Sequence, residues 1–218
     1  MKAIIFGATG LVGSSLLHLL LKNNDFERLI VVTRRPIEFS NPNINNQVVD
    51  FDRLAEYNLF KGADVVFCCL GTTIRKAGSK AAFELIDLHY PVIISELASR
   101  DKIPAMITVS SVGANASSSN FYLKTKGKME KEVLAQGIDR TVFLQPGLLL
   151  GNRKEFRFGE KIGAWVMTLF GWTLVGSLSR FQAVKDEEVA NAMIVISTLK
   201  EPQTYYNSHS IKLLAKKI

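Results

Sequence analysis

The chain has almost no cysteine, few histidines and no long block of like charges, and each shortage removes a class of protein. Its two cysteines, Cys68 and Cys69, are neighbours inside an apolar stretch. Adjacent strand residues point to opposite faces, so this pair cannot staple distant segments, and the reading is two buried, reduced thiols. His18, His89 and His209 stand far apart with no cysteine or carboxylate at ligand spacing, so no metal site is expected. The net charge of +7, from 27 basic and 20 acidic residues, is scattered. It reads as a solvated basic surface rather than a nucleic-acid groove. The densest basic stretch, Lys212 with Lys216 and Lys217, is expected in an exposed last helical turn.

Other absences are as informative. Gly7 and Gly10 fall where the apolar region of a secretory signal would lie, and with the reduced thiols this leads to an expected cytoplasmic setting. No Gly-x-Ser-x-Gly turn occurs, which argues against an esterase. One uncharged run, Ile162–Ser179 with Trp165, Phe170 and Trp172, comes close to the lower limit for a membrane span. Gly163, Gly171 and Gly176 interrupt it, and Thr168, Thr173, Ser177 and Ser179 add polarity. A helix over Glu160–Leu169 followed by an apolar loop fits it better, with docking on a membrane surface as the alternative. Internal repeats and low-complexity linkers are missing too.

What remains is a regular alternation of short apolar strands and amphipathic helices in 218 residues, 47% of them hydrophobic. That alternation predicts a doubly wound parallel sheet with helices on both faces, in one domain over 1–218. Strands are expected at Ala3–Phe6, Leu29–Thr33, Gln47–Val49, Val65–Leu70, Ala105–Ser110 and Thr141–Gln145, with a weaker one at Thr204–Tyr206. Helices are expected at Leu11–Lys22, Ser79–Ser99, Tyr122–Gln136, Glu160–Leu169 and Asp186–Leu199. Leu148–Val184 departs from the alternation and is expected to cover a substrate.

The first strand runs straight into Gly7-Ala8-Thr9-Gly10-Leu11-Val12-Gly13 and then a leucine-rich helix. Gly7 can turn tightly, Gly10 lets backbone N–H groups approach a pyrophosphate, and Gly13 lets the helix pack close to the strand. Thr9, Leu11 and Val12 complete the expected diphosphate cradle. A P-loop is excluded, because Gly13 is followed by Ser14-Ser15 and the nearest lysine is Lys22. At the end of the second strand, where an acidic residue would select NAD, the chain reads Thr33-Arg34-Arg35-Pro36. Guanidinium groups suit a 2′-phosphate, so NADPH/NADP is expected over NAD. Asp52 can accept from an adenine amino group, or can be a loop carboxylate at a helix start. Leu70, Gly71 and Thr72 end the fourth strand, where backbone can pass beside a nicotinamide ribose.

Downstream, Ser110-Ser111 closes the fifth strand, and Tyr122 and Lys126 lie one helical turn apart on one face. A nearby ammonium makes a phenol more acidic. Tyr122 can then protonate a carbonyl oxygen as hydride arrives, with Ser111 holding that oxygen. Arg75-Lys76 and Arg153, Glu155 and Arg157 either meet an acidic substrate or are simply solvated.

GATGLVG (7–13), TRRP (33–36), CCLGTTIRKAGSKAAFELID (68–87), SSVGANASSSNFYLKTK (110–126) and QPGLLLGNRKEFRFGE (145–160) together carry a family resemblance. The chain resembles the atypical short-chain dehydrogenase/reductase superfamily, and within it the small Tat-interactive-protein-type oxidoreductases. The resemblance implies an NADPH-binding Rossmann domain with Ser111, Tyr122 and Lys126 as the reductase triad. Pro146-Gly147 would then turn beneath the nicotinamide. Two departures stand out. Relatives usually carry Arg where this chain has Gln145, and the relay asparagine has no clear counterpart, Asp87 lying in the corresponding helix. The expected activity is reduction of a small carbonyl compound; the alternative is an NADPH-sensing regulatory module with little catalysis.

Overall fold

The computed structural model describes residues 1–37, 41–151 and 180–217. Seven parallel strands form one sheet: β1 (Lys2–Phe6), β2 (Arg28–Thr33), β3 (Ile44–Val48), β4 (Val65–Cys68), β5 (Ala105–Val109), β6 (Arg140–Gln145) and, after two shorter strands, β9 (Tyr205–Asn207). Their spatial order is β3-β2-β1-β4-β5-β6-β9. The chain therefore winds outward from β1 in one direction and from β4 in the other. This is the Rossmann-like arrangement expected from the sequence. The reversal between β1 and β4 opens a crevice at their carboxyl ends, where such sheets bind ligands. Phe6 sits there, in register with Cys68 on one side and Val32 on the other.

Both faces of the central strands are buried, so their side chains alternate between two cores. On one face Ala3, Ile5, Val31, Phe67 and Ile107 pack with Leu16 and Leu20 of helix α1 (Leu11–Leu20) and with Val189, Met193 and Ile196 of α6 (Asp186–Thr198). On the other, Ile4, Phe6, Val66 and Met106 meet Ile94 of α4 (Tyr90–Arg100) and Met129 and Val133 of α5 (Phe121–Leu134). Strand β4 ends at Cys68, short of the expected Leu70, and Cys68 and, just beyond it, Cys69 pack into opposite cores. Each fully buried Leu, Ile, Val or Phe contributes about 1.5–3 kcal/mol.

Several elements differ from the sequence reading. Strand β3 lies earlier than expected and is mostly polar (Ile44-Asn45-Asn46-Gln47-Val48), because it is an edge strand. Asn46 braces the neighbouring turn. Its amide donates to the Val31 carbonyl and to Thr33 Oγ1, both at 2.9 Å, and it accepts from the Ile37 N–H at 3.0 Å. The helix expected over Ser79–Ser99 is α3 (Lys80–Glu84) and α4 joined by one π-helical turn, Leu85–His89, and a short α2 (Ile74–Ala77) precedes them. Strands β7 (Leu149–Leu150) and β8 (Val184–Lys185) pair in parallel and join the two ends of the segment expected to cover the substrate. The helix expected at Glu160–Leu169, the apolar run Ile162–Ser179, and Arg153, Glu155 and Arg157 lie outside the described residues. A last helix, α7 (Ser208–Ala215), carries Lys212.

Candidate active site

The site is built from the carboxyl ends of β1, β4 and β5. After β1 the chain turns at Gly7, whose φ of +82° favours glycine. The Gly10 N–H donates to the Gly7 carbonyl at 2.8 Å, and Gly10 then caps α1. A Cβ at Gly13 would stand 2.2 Å from that same carbonyl oxygen, so helix and turn are in direct backbone contact. The first intrahelical bond is Ser14 N–H to the Gly10 carbonyl. Leu11, Val12 and Gly13 thus present first-turn N–H groups at the positive end of a helix whose first turn holds no acidic residue. Converging backbone N–H groups of this kind suit an anion, and the turn fits no side chain larger than hydrogen at its closest points.

The turn after β2 is pinned by Asn46 and by Thr33 Oγ1, which donates to the Arg35 carbonyl at 2.8 Å. Arg34 and Arg35 are exposed on it, and neither forms an ion pair among the described residues. Asp52 follows β3 in a 3₁₀ segment (Phe51–Glu56) and accepts a 2.7 Å hydrogen bond from the Tyr90 hydroxyl. Burial, with Asp52 beside it, pushes the Tyr90 phenol up to about 12. Asp52 thus lies in the first turn of a helical segment, as the helix-start reading expects, and Tyr90 stands close enough to Arg34 for their charges to interact.

Ser111 is buried just beyond β5, and its loop folds onto the start of α5, with Asn115 N–H donating to the Leu123 carbonyl at 3.1 Å. Val112 N–H donates to the Pro146 carbonyl at 3.0 Å, which ties this loop to the turn after β6. Helix α5 is capped by the Asn120 side chain, which accepts from Leu123 N–H. Its first turns carry Tyr122, half-buried, and Lys126, buried. The Tyr122 ring packs on Phe83 of α3, with ring centres 5.7 Å apart.

Lys126 has an ionic partner. Its Nζ lies 2.8 Å from Asp87 Oδ1, and both side chains are at most 5% exposed. Asp87 Oδ2 accepts the Thr72 N–H at 2.8 Å. Burial pulls the Lys126 ammonium down, but the Asp87 carboxylate, with Tyr122 and Cys68 behind it, outweighs this and holds it above the ordinary lysine value. Gly71 lies against the pair, where a Cβ would meet Asp87 Oδ1 at 3.4 Å and Lys126 Nζ at 3.9 Å. A third buried group is Glu130, one turn after Lys126, which accepts from Ser110 Oγ and from the Gln145 amide at 2.9 Å. Burial raises its carboxyl against the opposing effects of Gln145, Ser110 and Lys126. Sequence reasoning placed Asp87 in the right helix without a role and did not identify Glu130. The signal for Glu130 was its position in the stripe Tyr122, Lys126, Glu130, at successive turns of one face.

The fold, the glycine cradle and the Tyr–Lys helix define a dinucleotide-binding α/β protein. The NAD(P)H-binding family matches residues 7–164. The chain therefore belongs to the NAD(P)H-binding family, within the atypical short-chain dehydrogenase/reductase superfamily. It is 39% identical over 197 residues to Protein HTATIP2 of Rattus norvegicus, covering 88% of this chain and 79% of that one. It is 32% identical over 217 residues to Protein FMP52, mitochondrial, of Debaryomyces hansenii, covering 97% and 93%. Among solved structures, MoeE5 in complex with UDP-glucose and NAD is similar in fold, with a TM-score of 0.69 at 15% identity over all of this chain and 81% of that one. Human epimerase family protein SDR39U1 with NADPH gives 0.64 at 17% identity, over 95% and 74%.

One expectation is overturned. The cytoplasmic setting does not stand against relatives named mitochondrial in Debaryomyces hansenii and Candida albicans. Two buried thiols report how β4 packs and do not distinguish compartments. No described helix is long and apolar enough to cross a membrane, and no described cluster of His, Cys, Asp and Glu has the makings of a metal site.

Proposed function

We propose that the protein is an NADPH-dependent reductase of small carbonyl compounds, with Tyr122 as proton donor. The observation that carries this is the buried, charged Lys126 standing one helical turn from Tyr122 at the carboxyl ends of β4 and β5. Gly7, Thr9, Gly10, Leu11, Val12 and Gly13 would hold the diphosphate. Arg34 and Arg35 would hold a 2′-phosphate, which favours NADPH over NADH, and Asp52 would lie at the adenine end. Leu70, Gly71, Thr72, Lys126 and Pro146 would flank the nicotinamide ribose and ring. When bound, the dinucleotide supplies hydride.

The rest of the chemistry belongs to this chain. Ser111 donates a hydrogen bond to the substrate oxygen and orients it. Tyr122 delivers its hydroxyl proton to that oxygen as negative charge develops there, and the Lys126 ammonium stabilises the phenolate left behind. The mitochondrial naming of the fungal relatives supports the same compartment for this chain.

The test is NADPH oxidation across a panel of aldehydes and ketones by wild type and Tyr122→Phe. A substrate turned over by the wild type should be reduced at least ~100-fold more slowly by the variant, with NADPH affinity unchanged. Equal rates would remove Tyr122 from the mechanism.

A further inference from the structure

We propose that Asp87 is a positioning residue for this site: its carboxylate holds the Lys126 ammonium and the Thr72 amide together, so that Tyr122 faces a neutral ion pair and keeps its proton for reduction. The inference rests on the reductase reading and adds the direction in which the site is poised.

The geometry is specific. The π-helical turn Leu85–His89 carries Asp87 into the interior, where it is 1% exposed. One carboxylate oxygen meets Lys126 Nζ at 2.8 Å and the other meets the Thr72 N–H at 2.8 Å, so a single side chain ties α5 to the loop after β4. Gly71 borders the pair, where a Cβ would make ordinary contact with Asp87 Oδ1 at 3.4 Å and Lys126 Nζ at 3.9 Å.

The electrostatic consequence follows from counting charges. A lone ammonium beside a phenol draws out the phenolic proton, which suits a base that oxidises alcohols. An ammonium already neutralised by a carboxylate does so less, which suits an acid that protonates a carbonyl. The other ionisable groups facing the pair do not upset this balance. Cys68, on β4, has its thiol pushed up to about 11 by burial and stays neutral. Glu130, on α5, has its carboxyl raised by burial against the lowering effect of Lys126, and it accepts from Ser110 and Gln145. Tyr122 is the group being tuned.

The experiment uses the full-length protein labelled with ¹³C at lysine Cε and tyrosine Cζ, with Lys126 and Tyr122 signals assigned from Lys126→Met and Tyr122→Phe. Because the two groups titrate as a coupled pair, the quantity read is the pH at which the pair loses its first proton. In Asp87→Asn that pH is expected to fall by at least ~1 unit, whichever signal moves, because a buried ammonium has lost its counter-charge. Identical titrations in wild type and Asp87→Asn would overturn the proposal. Should Asp87→Asn fold poorly, the double variant Asp87→Asn/Lys126→Met decides. It is expected to melt higher than Asp87→Asn alone, and a lower or equal melting point overturns the ion-pair role. NADPH binding, followed by cofactor fluorescence, separates the two readings. Failure of the wild type to bind defeats the reductase reading, whereas unchanged titrations with binding intact defeat only the role of Asp87.

Discussion

Replacing Gly13 by alanine would set a methyl carbon 2.2 Å from the Gly7 carbonyl oxygen, 2.8 Å from its carbonyl carbon and 3.0 Å from Ala8 Cα. All three are backbone atoms, so no side chain can swing aside. Ordinary contact begins at 3.4 Å, and the difference from 2.2 Å means that about 1.2 Å must open between turn and helix. Helix α1 cannot simply retreat, because Leu16, Leu17 and Leu20 pack into the core it shares with α6. Overpacking strain of this kind costs about 1–3 kcal/mol. Alanine recovers up to about 1 kcal/mol through its better helix propensity.

Stability should therefore fall by up to about 2 kcal/mol, and cofactor affinity should fall further. A 1 Å displacement of the first-turn N–H groups takes hydrogen bonds of about 2.9 Å beyond useful reach. Hydrogen bonds to a charged group are worth about 1.5–3 kcal/mol, so losing even one predicts a roughly 10- to 100-fold weaker Kd for NADPH. Gly10→Ala is the internal control. Its methyl would stand 2.9 Å from the same oxygen and needs less than half the displacement, so its stability loss should be smaller. Denaturant melts and NADPH fluorescence titration of both variants measure this. If Gly13→Ala keeps wild-type stability and binds NADPH within twofold of wild type, the diphosphate cradle has been misplaced.

Joint replacement of Arg34 and Arg35 by alanine should weaken NADPH about tenfold or more and leave NADH nearly unchanged, as read by parallel titrations. An equal loss for both nucleotides would show that the arginines act on something other than a 2′-phosphate. Phe83→Ala removes a fully buried ring packed on Phe121 and Tyr122 and should cost about 3–5 kcal/mol in denaturant unfolding. Glu130 gives a pH test: its folded-state carboxyl is raised, so the native state holds the proton more tightly than the unfolded chain. Stability from this group is then present at low pH and is lost as pH rises through the raised value. Glu130→Gln keeps an acceptor for Ser110 and Gln145, so its melting temperature should decline less than that of the wild type from pH 5 to pH 8. A steeper decline in the variant would reverse the assignment.

What the sequence made legible was whatever its local chemistry forces. Gly7, Gly10 and Gly13 are dictated by backbone contacts that leave no space for a Cβ, so the need for them is written directly as glycine. Tyr122 and Lys126 share a helix, so their proximity follows from the 3.6-residue period alone. Strand β3 was misplaced because its value to the fold lies in hydrogen bonding: Asn46 braces the arginine turn, and a search for apolar residues slides past it toward Val48 and Val49. Asp87 and Glu130 were hidden for a different reason. A carboxylate on a helix is ordinarily solvated, and what makes these two functional is the partner that tertiary packing brings from elsewhere, Lys126 for one and Ser110 with Gln145 for the other.

The two cases then divide in a way that the local pattern could not show. Asp87 meets a cation, and the pair it forms sustains a charged lysine in the interior. Glu130 accepts only from neutral donors, Ser110 and Gln145, and burial raises its carboxyl. A buried carboxyl group thus serves the site as the ion-pair partner of Lys126 on one side and as an acceptor for neutral donors on the other. Exchanging their partners would exchange those roles.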